Sequence, residues 1–245
     1  MMRQKLKFLC LAFPILFAAC ASATPPAPKK ECVILLHGLA RTPRSMGKLE
    51  KHLSAKGYHV INAKYPSTRK TVQILAEKYI PDAITACEKF QPEKIHFVTH
   101  SLGGILVRQY LQNHSLPEGS RIVMLSPPNR GSELADYLKG LWFYKWLNGP
   151  AGQELGTDPR SVPNMLKPVS AEIGVITGNR SFNPLYSQLI PGPDDGKVSV
   201  ERARLKEMKD FIVIPATHTF IMNHAQTMQQ VLSFLEKGKF SHNAD

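Results

Sequence analysis

Ile95-His96-Phe97-Val98-Thr99-His100-Ser101-Leu102-Gly103-Gly104-Ile105-Leu106-Val107-Arg108 decides how the chain is read. A short β-branched and aromatic run ends at a serine, two glycines follow, and an apolar stretch with helical character continues through Tyr110 and Leu111. A strand that turns this sharply into a helix holds its turn residue in a strained backbone conformation and needs small neighbours. The turn residue's hydroxyl then stands above the sheet edge, beside the positive end of the helix. The pattern G-x-S-x-G describes such an elbow; here it reads Thr99-His100-Ser101-Leu102-Gly103, with threonine in place of the first glycine. Ser101 is the candidate nucleophile. The plainer alternative is a buried, hydrogen-bonded serine at a strand-to-helix turn.

Outward from the elbow, short apolar runs alternate with amphipathic ones. Strands are predicted over Cys32–Leu36, Tyr58–Ala63, Arg121–Ser126, Ile173–Gly178 and Phe211–Pro215. Helices are predicted over Ser45–Lys56, Thr71–Phe90 (kinked by Pro81) and about Ala225–Leu235. This alternation implies an α/β fold with a doubly wound, mostly parallel sheet. Between Asn129 and Lys167 it breaks: the segment has no strand signal, is rich in Pro, Asn and Gly, and carries Leu141-Trp142-Phe143-Tyr144-Lys145-Trp146-Leu147. An excursion of that length is expected to be a small cap supplying apolar walls beside the active-site mouth. The alternative is that its aromatics simply finish the core.

His37-Gly38 closes the first apolar run, and Asp195-Gly196 and His218 lie downstream of the elbow. With the elbow itself, these motifs resemble the α/β-hydrolase family, in its branch of small bacterial lipases and esterases. The likeness runs from about Glu31 to Leu235. It implies an α/β-hydrolase fold and a serine carboxylic-ester hydrolase acting on lipid-like or acyl esters. It also implies the chain order serine, acid, histidine. Ser101 is then the nucleophile. His218, on the loop after the last strand, is its base, with His224 as rival. Asp195 is the orienting acid, with Asp194 as runner-up and Glu133 and Asp136 as outside candidates. Backbone N–H groups of Leu39 and Leu102 are expected to form the oxyanion hole, supported by the His37, Gly38 and Gly103 motif positions. His100 is set aside because neighbouring residues on an elbow point different ways. An acyltransferase on the same scaffold, or a non-catalytic envelope binding protein, are the alternatives.

Residues 1–23 read as an export signal: Arg3, Lys5 and Lys7 precede an apolar run from Phe8 to Ala19, and Ala21-Ser22-Ala23 follows. The run is too short for a stable membrane span. Cleavage after Ala23 would release a periplasmic or secreted protein; Leu16-Phe17-Ala18-Ala19-Cys20 also resembles a lipobox, which would tether it through Cys20. Residues 24–30 form a Pro-rich leader, and the hydrolase domain is expected over 31–240. Cys32 and Cys87 fall at the same edge of the sheet, as a disulfide or as two buried thiols. Losing Arg3, Lys5 and Lys7 with the export signal lowers the formal charge from +12 to +9. Such a surface favours anionic lipid or envelope polymers, although a merely solvated basic face is the simpler alternative. No basic helix or aromatic-basic interleaving marks a nucleic-acid site. No metal or cofactor is implied: the histidines lack H-E-x-x-H spacing and the cysteines are too few for a zinc cage.

Overall fold

The near-continuous hydrophobicity of the predicted strands requires a sheet covered on both faces, and a computed structural model, which describes residues 27–242, has that arrangement. The expected export signal and Cys20 lie outside the described residues. Strands β1 (Glu31–Leu36), β2 (His59–Asn62), β3 (Lys94–His100), β4 (Arg121–Leu125), β5 (Glu172–Gly178) and β6 (Asp210–Ile214) form one sheet in the order β2-β1-β3-β4-β5-β6. Every pairing is parallel. The helices are α1 (Gly47–Ser54), α2 (Val72–Glu88), α3 (Leu102–Tyr110), α4 (Glu133–Leu138), α5 (Trp142–Gln153), α6 (Val162–Met165), α7 (Pro184–Leu189), α8 (Val200–Ala203) and α9 (Ala225–Lys237). Helix α2 carries Pro81 inside it.

Strand side chains alternate between faces, so each strand feeds two cores. Ile34, Leu36, Phe97 and Met124 pack with Leu75 and Ile80 of α2 and Ile105 of α3. Val33, Leu35, Val98 and Leu125 pack on the other face with Leu49 and Leu53 of α1 and Val231 and Phe234 of α9. The central strands are buried, whereas β2 at the edge is half-buried along its length. Cys32 opens β1, Cys87 lies in the last turn of α2, and the two form a disulfide with Cα atoms 5.8 Å apart. Closing a loop of 55 residues is worth about 4 kcal/mol in the chain-entropy description.

The excursion folds as three helices, α4 to α6, without a strand. Helix α5 is two helical pieces meeting at Gly149, whose φ of 59° only glycine adopts freely. A Cβ there would lie 1.6 Å from the Thr68 carbonyl oxygen, so this glycine lets the cap sit directly on the 66–70 loop. The Glu154 carboxylate accepts a 2.7 Å hydrogen bond from Val72 N–H at the start of α2. From beneath, the buried Arg108 guanidinium of α3 donates to the carbonyls of Asn129, Pro163 and Leu166. Burial pushes its pKa down to about 10, with Glu207 opposing.

Candidate active site

In a wound parallel sheet, loops at the carboxyl ends of the strands converge on one edge. Leu39 follows β1, Ser101 follows β3, Asp195 lies between β5 and β6, and His218 follows β6. Ser101 has φ 51° and ψ −117° and directly precedes α3. Strain of this kind persists only where surrounding structure over-determines it, and here that structure is explicit. Ser101 N–H donates to the Leu125 carbonyl of β4 (2.9 Å). A Cβ on Gly103 would come within 2.7 Å of the Leu36 oxygen, and one on Gly38 within 2.7 Å of His100 Nδ1. Threonine stands at the motif's first glycine position beside Gly104: a Cβ on Gly104 would be in ordinary contact with Thr99 Oγ1 (3.4 Å) and crowded only against Pro127 Cβ (3.1 Å).

The structure brings the serine, histidine and acid together in one buried chain. Ser101 Oγ lies 3.0 Å from His218 Nε2, and His218 Nδ1 lies 2.9 Å from Asp195 Oδ2. Facing a carboxylate, Nδ1 carries the proton, which leaves Nε2 as the acceptor toward the serine hydroxyl. Asp195 Oδ1 accepts from Lys197 N–H (3.0 Å) and Val198 N–H (2.9 Å), so both carboxylate oxygens are engaged. Burial would raise the Asp195 pKa, but the adjoining His218 and these hydrogen bonds outweigh it and hold the group below the usual carboxylate range. The backbones are tied as well, His218 N–H donating to the Asp195 carbonyl (2.9 Å).

The runner-up residues are engaged elsewhere. Asp194 Oδ1 accepts from Gly196 N–H (2.7 Å) and Ser187 Oγ (3.0 Å), so Asp194 shapes the Asp-Gly turn while Asp195 faces the histidine. Glu133 pairs with Arg202, and Asp136 with Lys139 and Thr157. His224 occupies the N-cap position of α9 without a side-chain cap bond, and it bonds neither Ser101 nor Asp195. His37 Nδ1–H donates to the Gly38 carbonyl (2.9 Å), and its ring stacks on Tyr65 at 4.0 Å. Tyr65 OH in turn donates to the His37 carbonyl. Leu102 opens α3, where the first N–H groups of a helix have no partner within it. Neither its N–H nor that of Leu39 donates to a described acceptor.

Sequence reasoning missed His100. Its Nε2–H donates to the His218 carbonyl at 2.9 Å, gripping that histidine's backbone from the residue before Ser101. Burial, to which a protonated His218 would add, lowers its pKa well below the ordinary histidine value and keeps the ring neutral. A histidine next to the elbow serine was the only signal for this, and nothing in one dimension shows where its ring points.

These groups open into a cleft of about 440 Å³, within the range of small-molecule sites. Leu138, Phe143, Tyr144 and Leu147 of the excursion supply its apolar wall. The two tryptophans do not line it: Trp142 and Trp146 are 78% and 81% exposed, on the outer face of α5. Among the described residues, no group of three or more His, Cys, Asp or Glu side chains is placed to hold a metal ion.

No protein-family model matches the sequence, and no curated protein matches it significantly. Solved structures do. A Bacillus licheniformis lipase, BlEst2 in its mature form, is 21% identical over 86% of this chain and 93% of its own, with a TM-score of 0.68. The phospholipase PlaB from Legionella pneumophila is 18% identical over 85% of this chain, which spans 60% of PlaB, with a TM-score of 0.69. A monoacylglycerol lipase from Paleococcus ferrophilus is 18% identical over 86% of this chain and 96% of its own, with a TM-score of 0.56. The chain has the α/β-hydrolase fold.

Proposed function

We propose that the protein is a serine carboxylic-ester hydrolase, exported to the bacterial cell envelope, acting on lipid-like acyl esters. The observation that carries this reading is the unbroken relay Ser101 Oγ–His218 Nε2, His218 Nδ1–Asp195 at the strained elbow. A serine hydroxyl is a weak nucleophile until a positioned base takes its proton. His218 takes that proton, Asp195 holds the imidazole in the required tautomer, and Ser101 attacks the ester carbonyl. The Leu39 and Leu102 amides receive the developing oxyanion. His218 then protonates the departing alcohol, and water, deprotonated by the same imidazole, hydrolyses the acyl-enzyme.

The apolar wall from the cap supports an acyl chain as the group bound there. The exposed Trp142 and Trp146, one helical turn apart beside Lys145, and the basic charge of the chain support transient contact with an anionic membrane surface. Incubation with a fluorophosphonate, followed by turnover of p-nitrophenyl esters of increasing acyl length, tests the reading. Covalent labelling on Ser101 with turnover that rises with chain length is expected. An unlabelled serine in folded protein overturns it. Repeating the assay with an added alcohol distinguishes hydrolysis from acyl transfer by the product formed.

A further inference from the structure

Arg41 and Lys197 line the same cleft as Ser101 and His218. They reach it from opposite ends of the site's connectivity. Arg41 lies two residues past Leu39 on the loop after β1, and Lys197 two residues past Asp195. Among the described residues neither side chain makes a hydrogen bond or an ion pair. Some other cations are matched, Arg121 and Lys209 with Glu172, Arg130 with Glu201 and Arg202 with Glu133; what sets Arg41 and Lys197 apart from the remaining unpaired ones is their place in the lining of the Ser101 cleft. Lys197 is exposed at the cleft rim and Arg41 is half-buried; partial desolvation and then the Arg41 charge lower the Lys197 pKa, with Asp195 opposing. Asp195 offsets the pair only through space, because its two oxygens bond His218 and backbone N–H groups rather than either cation. Two like charges lining one cleft beside Ser101, neither bonded to a carboxylate, repel each other. A bound anion would relieve them.

We propose that Arg41 and Lys197 form an anion subsite at the mouth of the Ser101 cleft, selecting esters that carry a negative group on their alcohol side. The proposal rests on the hydrolase reading and deepens it. The charge belongs on the alcohol side because the cap wall of Leu138, Phe143 and Leu147 is apolar and offers an anion nothing. A guanidinium and an ammonium together suit a phosphate or a carboxylate. The preferred substrates are thus acidic acyl esters rather than neutral glycerides.

The experiment compares kcat/KM on three water-soluble butanoate esters, so that membrane binding plays no part. They are the dibutanoate of glycerol 3-phosphate, neutral 1,2-dibutanoylglycerol, and 4-(butanoyloxy)butanoate. The native protein is expected to favour the anionic esters. In Arg41→Gln/Lys197→Gln the anionic-to-neutral ratio is expected to fall about tenfold or more, the scale of one or two charge-assisted hydrogen bonds. Arg41→Glu/Lys197→Glu is expected to turn preference toward butanoylcholine, a gain that a damaged cleft would not produce. Lys56→Gln/Lys89→Gln removes equal charge from the opposite edge of the sheet, just before β2 and β3, and is expected to leave the ratio alone. Loss on both anionic esters supports a subsite that reads charge. Loss on the phosphate ester alone supports one that reads phosphate. An unchanged ratio, an equal loss on neutral and anionic esters, or an equal effect from the remote pair overturns the proposal. Fluorophosphonate labelling of each variant separates the two failures: labelled protein with an unchanged ratio removes only the subsite, whereas unlabelled native protein removes the hydrolase reading beneath it.

Discussion

The elbow and the cap face each other across one cleft and are built on opposite terms. From Leu102 to Arg108 every residue of α3 is buried, and β3 beneath it is buried from Ile95 onward. In α5, by contrast, Trp142, Phe143, Trp146 and Leu147 are all exposed to some degree, and only Ala151 and Gly152 are buried. The elbow is fixed by the Leu125 carbonyl of the neighbouring strand and by Gly38 and Gly103, which admit no Cβ. The cap is tied by hydrogen bonds at Lys70, Val72 and the Arg108 guanidinium, and only a few of its side chains, such as Ala135, Ala151 and Leu155, join the core. The difference teaches a division of labour. Bond-making groups need positions held to fractions of an ångström, whereas an apolar wall for an acyl chain needs only shape and hydrophobicity.

The division breaks if chemistry does not reside at the elbow. Ser101→Ala is expected to lower kcat by about 10⁴-fold or more while leaving the fold and ester binding in place. Steady-state turnover of p-nitrophenyl butanoate measures it, and a purified variant with native activity would end the assignment.

Acid should strike the elbow side rather than the cap, because His96 and His100 both lie on β3 while residues 129–167 contain no histidine. Burial, with Glu31 opposing, lowers His96 to about 4 from 6.5. A depressed histidine leaves the unfolded chain holding more protons in acid, so this contribution to stability is complete above pH 6.5 and disappears as pH falls toward 4. By pH 4 the loss from His96 alone is about 3 kcal/mol. Chemical denaturation from pH 7 to pH 4 checks it, and His96→Gln should flatten the slope even though it lowers stability at neutral pH. A native protein equally stable at both ends would refute it.

The gentlest probe sharpens the cap side. Phe143→Ala/Leu147→Ala removes apolar wall without touching the relay. It should reduce kcat/KM for octanoyl esters by about tenfold relative to acetyl esters, the scale of a side chain's worth of buried area. Equal effects on both esters would mean that the wall does not read acyl length.

How much of this was legible in the chain follows the same division. Thr99-His100-Ser101-Leu102-Gly103, flanked by a β-branched run and an apolar helix, announced a strained strand-to-helix turn, because steric limits on a tight turn are local. The alternating apolar runs announced a two-sided parallel sheet, because full burial erases the polar half of a strand pattern. Asp194 against Asp195 was closer: both fit a turn, and only the fold shows one carboxylate closing that turn while the other meets His218. The tryptophans illustrate the opposite limit, since an aromatic cluster in an excursion does not say which face of a helix meets the cleft. The outward aim of Trp142 and Trp146 depends on how α5 is seated over Thr68 through Gly149.

By itself, then, the sequence determined the six strands, the helices α1, α2, α3 and α9, their order and the residue types at the site, since periodicity, turn sterics and chemical type are properties of short stretches; helices α4 to α8 appear only in the fold. Only the tertiary structure decided which of nine histidines bonds Ser101, that His100 holds that histidine's backbone, that Cys32 and Cys87 join, and that Arg41 and Lys197 share one cleft. Each of these is a meeting of groups dozens of residues apart. The distances at which hydrogen bonds and charges act are fixed by how helices pack on a sheet, which no local pattern encodes.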